Sequence, residues 1–311
     1  MKWRTSFHVF DVVSVGHFSI DSIILPNRDK PFTVLGGSAA YVSFAARCLG
    51  AKAAVISKVG KDFPEAYLWW LKQENIGLTG VSKIEDASTT SFELRYSSDL
   101  GNRTLKLKNK MAPITLTDLP NMLKSKVIHV APIVDEVDYE TIKELRSKTE
   151  ILSLDPQGLV RNFENGNITL KALMDKRMLK LIDVYKSSHA EIEAVTGISD
   201  VNLAMKAIHE HGAAIVIVTL GMNGALVLVE DTVYNVPAYK PEKVVDPTGA
   251  GDVFMGAFLA EYVKGEDCSW CSHVGSAAAS IVIEGIGPTS MGDEQEIYRR
   301  ASLLYEKELK G

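Results

Sequence analysis

Short runs of β-branched and apolar residues alternate along this chain with longer stretches whose apolar positions recur at helical spacing. Residues 9–15, 53–59, 127–131, 151–155, 181–185 and 214–220 read as buried strands. Residues 38–49 read as a helix stopped by Gly50, and residues 64–75 as a helix with Pro64 in its first turn. Helical patterns also span 138–148, 170–179 and 201–211. Strands alternating with helices predict an α/β fold, a doubly wound and mostly parallel sheet with helices on both faces. A hairpin follows at 225–230 and 232–236, then two long helices at 249–263 and 266–283.

One region breaks the rhythm. Residues 89–97 alternate as a strand through Phe92, Leu94 and Tyr96, residues 99–102 read as a turn, and 104–107 as the returning strand. Residues 19–34 are also extended, because Pro26 and Pro31 keep them out of a helix. The expectation is one domain over 1–311, with segments of about 19–35 and 88–109 forming a small β-sheet that serves as a lid. Trp69 and Trp70 cannot both face the core of one helix, so one of them marks a candidate interface.

The 311 residues are 46% hydrophobic and 23% charged, an ordinary globular balance that can bury a large core. The net charge of −5 gives no basis for a nucleic-acid or anionic-membrane partner. Cys48, Cys268 and Cys271 are too few for a disulfide framework and fit a reducing, cytoplasmic location. No apolar run reaches the roughly 18 residues of a membrane helix, and the start of the chain does not read as a signal peptide. Cys268 and Cys271 form a lone C-x-x-C without the further ligands a zinc site needs.

The usual phosphate motifs fail. The Gly60-Lys61 pair lacks the P-loop's first glycine and its Ser or Thr, and the glycines at 249 and 251 lack the third Rossmann glycine and lie late in the chain. What remains is Asp246-Pro-Thr-Gly-Ala-Gly-Asp252 at the start of a long helix. Its glycines let the backbone approach a ligand, and the free N–H groups of the helix start make an anion site. Asp252 falls in the first turn. There it serves as a capping acid or, beside a bound phosphoryl group, as a base for an attacking hydroxyl.

That seven-residue string resembles the C-terminal signature of the ribokinase-like (PfkB) family of carbohydrate and nucleoside kinases, with Pro247 where the family often has Thr. The resemblance runs along nearly the whole chain: the opening strand ending at Asp21, the Gly36-Gly37 motif, the turn from Val218 to Gly224, and Gly285-Ile-Gly287-Pro288. It implies an ATP-dependent kinase acting on a hydroxyl of a small-molecule acceptor. Asp252 would be the base, with Gly249, Ala250 and Gly251 holding the transferring group. Asp21, Gly36, Gly37, Tyr41 and Arg161 would bind the acceptor, and Thr219, Gly221, Gly224, Thr248 and Gly287 the nucleotide. Mg²⁺ would be held through water by Glu191. K⁺ is a further expectation, at Asp246, and a homodimer through the lid is another.

Two departures from the family pattern matter. Ser188 replaces the Asn that precedes Glu191 in the family's Asn-x-x-Glu motif. Tyr41 stands where ribose kinases carry a sugar-binding Asn, and an aromatic there offers a flat apolar wall or simple core packing. The wall reading makes a nucleoside, phosphorylated at its 5′-hydroxyl, the leading acceptor. A sugar or inositol is the alternative, and a non-catalytic nucleotide- or sugar-binding protein is a third reading. A pure binder gains nothing from an acid beside phosphates, since like charges repel.

Overall fold

The structure is a computed structural model that describes residues 10–97 apart from 27 and 29, then 103–164, 167–171 and 175–310. The expected turn at 99–102 lies outside the described residues. Among the described residues fifteen strands run in chain order: β1 (Phe10–Val15), β2 (Ser19–Ile24), β3 (Phe32–Gly36), β4 (Ala53–Gly60), β5 (Gly77–Ile84), β6 (Ser91–Tyr96), β7 (Arg103–Asn109), β8 (Ser125–Val130), β9 (Thr149–Leu154), β10 (Arg161–Glu164), β11 (Asn167–Leu170), β12 (Val184–Ser188), β13 (Ile215–Thr219), β14 (Ala225–Val229) and β15 (Thr232–Val236). The helices are α1 (Ser38–Cys48), α2 (Glu65–Gln73), α3 (Tyr139–Arg146), α4 (Gln157–Val160), α5 (His189–Thr196), α6 (Val201–Glu210), α7 (Ala250–Tyr262), α8 (Cys268–Val282) and α9 (Glu294–Lys310).

Nine strands form the main sheet in the order β15-β14-β13-β12-β9-β8-β1-β4-β5. From β12–β13 across to β4–β5 every pair is parallel; only the β13-β14-β15 end is antiparallel. The period of two along each strand sorts side chains between two cores. Val12, Ala53, Val55, Ile215 and Ile217 pack beneath α1, α7 and α8. Val13, Val15, Ile56, Val216 and Val218 pack with Ile142 of α3, Ile192 of α5 and Ile208 of α6. Being buried on both faces is what makes these strands read as near-continuous apolar runs.

Helix starts follow local chemistry. Asp138, Asp200 and Asp267 each accept a backbone N–H as the N-cap of α3, α6 and α8, and Gly197 closes α5 in the left-handed region. The small sheet has the order β3-β2-β6-β7. It is built from insertions after β1 and after β5, so it stands over the C-terminal edge of the main sheet. That edge is where open α/β sheets bind ligands.

Two expectations need correction. Of the helix expected at 170–179, Leu170 instead ends β11, which pairs with β10, and Lys176–Leu181 is a 3₁₀ turn capped by Asp175, while residues 172–174 lie outside the described residues. The strand expected at 181–185 lies instead at Val184–Ser188, because pairing with β13 begins at Val184 and Ile215. Strand β5 and helix α9 were not anticipated. Of the Trp pair, Trp70 stacks on Phe44 at 4.3 Å while Trp69 is 64% exposed.

Candidate active site

The loop before α7 divides two chambers. On one side lies a cleft of about 630 Å³ lined by Thr219, Gly221, Gly224, Ala250 and Gly251, with Met222, Tyr239, Val244, Phe254 and Ile283 as its apolar walls. On the other lies a small pocket of about 60 Å³, lined by Asp21, Gly37, Ser38, Tyr41, Gln157, Arg161, Thr248, Gly249 and Asp252. The helix begins at Ala250, after Gly249 has turned the chain with φ of 80°. The N–H groups of the first turn of α7 have no partner within the helix, so an anion placed at its start meets both donors and the positive dipole end.

Asp252 is half-buried, and Gln157 Nε2 donates to its Oδ1 at 3.2 Å. Burial pushes its pKa up to about 6, and Asp155 adds to the rise. The ammonium of Lys186, the Ser38 hydroxyl and Arg161 pull the other way. Such an acid is ionised at neutral pH yet basic enough to take a proton.

Asp21 reaches the pocket from β2 of the small sheet, and Gly36, in the neighbouring strand, lets it stand there. A Cβ at Gly36 would lie 2.1 Å from Asp21 Oδ2. Replacing Asp21 by Ala removes one hydrogen bond to a charged group, about 1.5–3 kcal/mol. The acceptor KM is therefore expected to rise by roughly 10- to 100-fold, with the donor KM unmoved. Steady-state kinetics in both substrates checks this, and an unchanged acceptor KM removes Asp21 from the site.

Several residues sit elsewhere than expected. Tyr41 is 1% exposed: its ring lies under Gly249, whose Cβ would meet it at 2.3 Å, so Tyr41 is a floor to the loop rather than an open wall. Thr248 lines the smaller pocket, not the larger cleft. Gly287 faces Val34 of β3. Glu191 forms a capping box with Ser188, accepting its N–H and its hydroxyl at 2.8 Å, and its other oxygen lies 4.0 Å from Arg161. Asp246 Oδ1 accepts from Tyr96 Oη at 2.7 Å and from the Thr248 amide at 2.9 Å, and its Oδ2 is buried without a hydrogen-bond partner among the described residues. Among the described residues no cluster of three or more His, Cys, Asp or Glu could hold a metal ion, the C-x-x-C of α8 included.

Two side chains were not singled out as site residues from the sequence. Gln157, at the start of α4, donates to both Ser38 Oγ and Asp252. Lys186, on β12, is 5% exposed and pairs with Asp155 at 2.6 Å. The signal for Lys186 was a lone Lys in a strand otherwise built to be buried.

No helix among the described residues is long and apolar enough to cross a membrane. The model of the pfkB family carbohydrate kinases matches residues 10–295. A cytidine kinase of Thermococcus kodakarensis is 30% identical over 91% of this chain and 99% of its own length. An inositol 3-kinase of Arabidopsis thaliana is 28% identical over 89% and 74%. The solved structure of a pyrophosphate-dependent kinase in the ribokinase family superposes with a TM-score of 0.80 at 26% identity, covering 93% of this chain and 99% of that one. With its glycine loop at the mouth of two chambers and the match running from the first strand to α9, this chain belongs to the pfkB family of carbohydrate kinases.

Proposed function

We propose that this phosphotransferase moves the terminal phosphoryl group of ATP to a hydroxyl of a compact polyol, a sugar or a cyclitol. The observation that carries this reading is the smaller pocket. Its volume of about 60 Å³ is slight, and Asp21, Ser38, Gln157 and Arg161 converge there with Asp252. Closely spaced donors and acceptors suit a ring bearing several hydroxyls. Tyr41 and Phe92 line this pocket, but Tyr41 is buried beneath Gly249 and offers little open face on which a nucleoside base would stack.

In the transfer an acceptor oxygen attacks the terminal phosphorus in line. Its proton passes to Asp252, the new O–P bond forms, and the bridging P–O bond breaks with its electron pair going to the departing phosphate. Ala250 and Gly251 offer backbone N–H groups to the phosphoryl oxygens. Mg²⁺ would supply charge neutralisation to the donor. Of this chain's carboxylates, Glu191 has one oxygen outside its capping box, 4.0 Å from Arg161, and would hold the cation through water. The apolar walls of the larger cleft favour a donor with a base over bare pyrophosphate. The small sheet would act as a lid over the acceptor.

A second reading has one observation behind it. Arg161 and Leu105 line both the small pocket and a neighbouring chamber of about 400 Å³ reaching Ile168 and Glu191. A nucleoside would seat its base there, and the similarity to a cytidine kinase favours this reading. The test is a phosphotransfer screen of inositols, hexoses, pentoses and nucleosides, each with ATP and with pyrophosphate. The expected result is the highest kcat/KM with a polyol or sugar and ATP. A nucleoside ahead by tenfold would overturn the acceptor assignment, and transfer from pyrophosphate alone would overturn the donor.

A further inference from the structure

Lys186 has no part in the mechanism above, yet it lies within that site. A buried ammonium costs several kcal/mol to desolvate, and a hydrophobic side chain of similar volume would fill the same space without that cost. The chain keeps it on β12, whose pairing with β13 fixes its direction. Its Nζ lies 2.8 Å from where a Cβ on Gly251 would be, directly beside the phosphoryl-binding loop. Asp155 anchors it at 2.6 Å. The same Asp155 accepts the Gln157 backbone N–H at 3.1 Å, and the Gln157 side chain reaches Asp252. A hydrogen-bonded path therefore joins Lys186 to Asp252.

We propose that Lys186 is a positioning residue for phosphoryl transfer, a fixed charge anchored by Asp155 that holds Asp252 as a carboxylate at the start of α7. The inference rests on Asp252 being the base. The groups that face Asp252 are Lys186 from β12, Asp155 after β9, Arg161 from β10, Ser38 and Tyr41 from α1, and Asp21 across the small pocket. Three carboxylates, Asp21, Asp155 and Asp252, thus share this region with two cations, Lys186 and Arg161, and Glu191 lies 4.0 Å from Arg161. When Asp252 takes the acceptor's proton, the Lys186 ammonium faces one negative charge fewer. That change comes at the moment when negative charge builds on the phosphate leaving the loop.

A pair with only a structural role and a pair that tunes Asp252 behave differently. Removing Lys186 raises the proton affinity of Asp252, whereas removing Asp155 lowers it, since opposite and like charges act with opposite sign. The test is a carboxyl ¹³C NMR titration of the full chain labelled at Asp, with Asp252 assigned by the signal missing in Asp252→Asn. It needs no acceptor, so it stands even if the proposed substrate class fails. The titration of Asp252 is expected to move up by about one pH unit in Lys186→Met and down in Asp155→Asn, with Lys186→Arg close to the parent. The acidic limb of kcat should follow in the same directions with whichever acceptor is used. Lys186→Met leaves Asp155 buried and unpaired; if that variant does not fold, the downward shift in Asp155→Asn decides the matter. Shifts in the same direction, or none in Asp155→Asn, would overturn the proposal.

Discussion

Replacing Asp252 by Asn is expected to lower turnover by about 10²–10⁴-fold, the usual worth of a positioned base, while donor binding survives and the protein becomes more stable at neutral pH. The two effects have one origin. Burial raises the folded pKa of Asp252 from 3.8 to about 6. An acid raised on folding binds its proton more tightly in the folded chain, so its ionisation opposes folding. That penalty is absent below the unfolded value, grows between about 4 and 6, and is complete above the folded value. Asn carries no charge and escapes it. Thermal unfolding should therefore show the variant more stable than the parent above about pH 6, with the gap closing toward about pH 4. In the parent, turnover should fall about tenfold per pH unit below the same midpoint, as the base is lost. A variant turning over within threefold of the parent would remove Asp252 from the chemistry. A variant less stable than the parent at neutral pH would mean that its carboxylate is compensated better than its burial implies.

Gly249→Ala is expected to be nearly as damaging for a different reason. The residue turns into α7 with φ of 80°, a left-handed conformation that costs an L-residue about 1–2 kcal/mol. The new methyl would also lie 2.3 Å from the Tyr41 ring. Tyr41 is fully buried and cannot swing away, so the loop itself must move, and with it the N–H groups of α7. A displacement of this kind at a preorganised anion site costs about 10²-fold or more in kcat/KM. Steady-state kinetics and a melting curve check it. The expected pattern is a loss of turnover that exceeds what the drop in stability explains at the assay temperature. Turnover within threefold of the parent would show that the loop's backbone path is not what positions the phosphoryl group.

Much of this architecture was legible in the amino-acid order because the parallel sheet is buried on both faces. Runs such as Ile215–Thr219 have no alternative but a central strand, and the alternation in Ser91–Tyr96 sets the small sheet apart. The glycine loop was legible because few other contexts demand so many small residues before an apolar helix. What escaped depended on tertiary contacts. The apolar spacing from Leu170 onward matched a helix, but at Leu170 hydrogen bonding to β10 won over periodicity. Tyr41 reads the same whether its ring faces a ligand or Gly249; only the close approach of α1 and α7 decides. Lys186 and Gln157 gain meaning from Asp155 and Asp252, 31 and 95 residues away in sequence.

The phenol of Tyr96 joins parts of the molecule that the chain keeps far apart. It stands on β6 of the small sheet, yet it bonds Asp246 at 2.7 Å and Thr248 at 2.6 Å, just ahead of the glycine loop. Any movement of β6 away from the site must break both bonds, and a hydrogen bond to a charged group is worth about 1.5–3 kcal/mol. On the proposed reading of the small sheet as a lid, sheet and glycine loop would therefore tighten and loosen together. Water entering past a raised lid would then meet a slackened loop, so the same hydroxyl that fastens the sheet would disfavour wasteful hydrolysis of the donor.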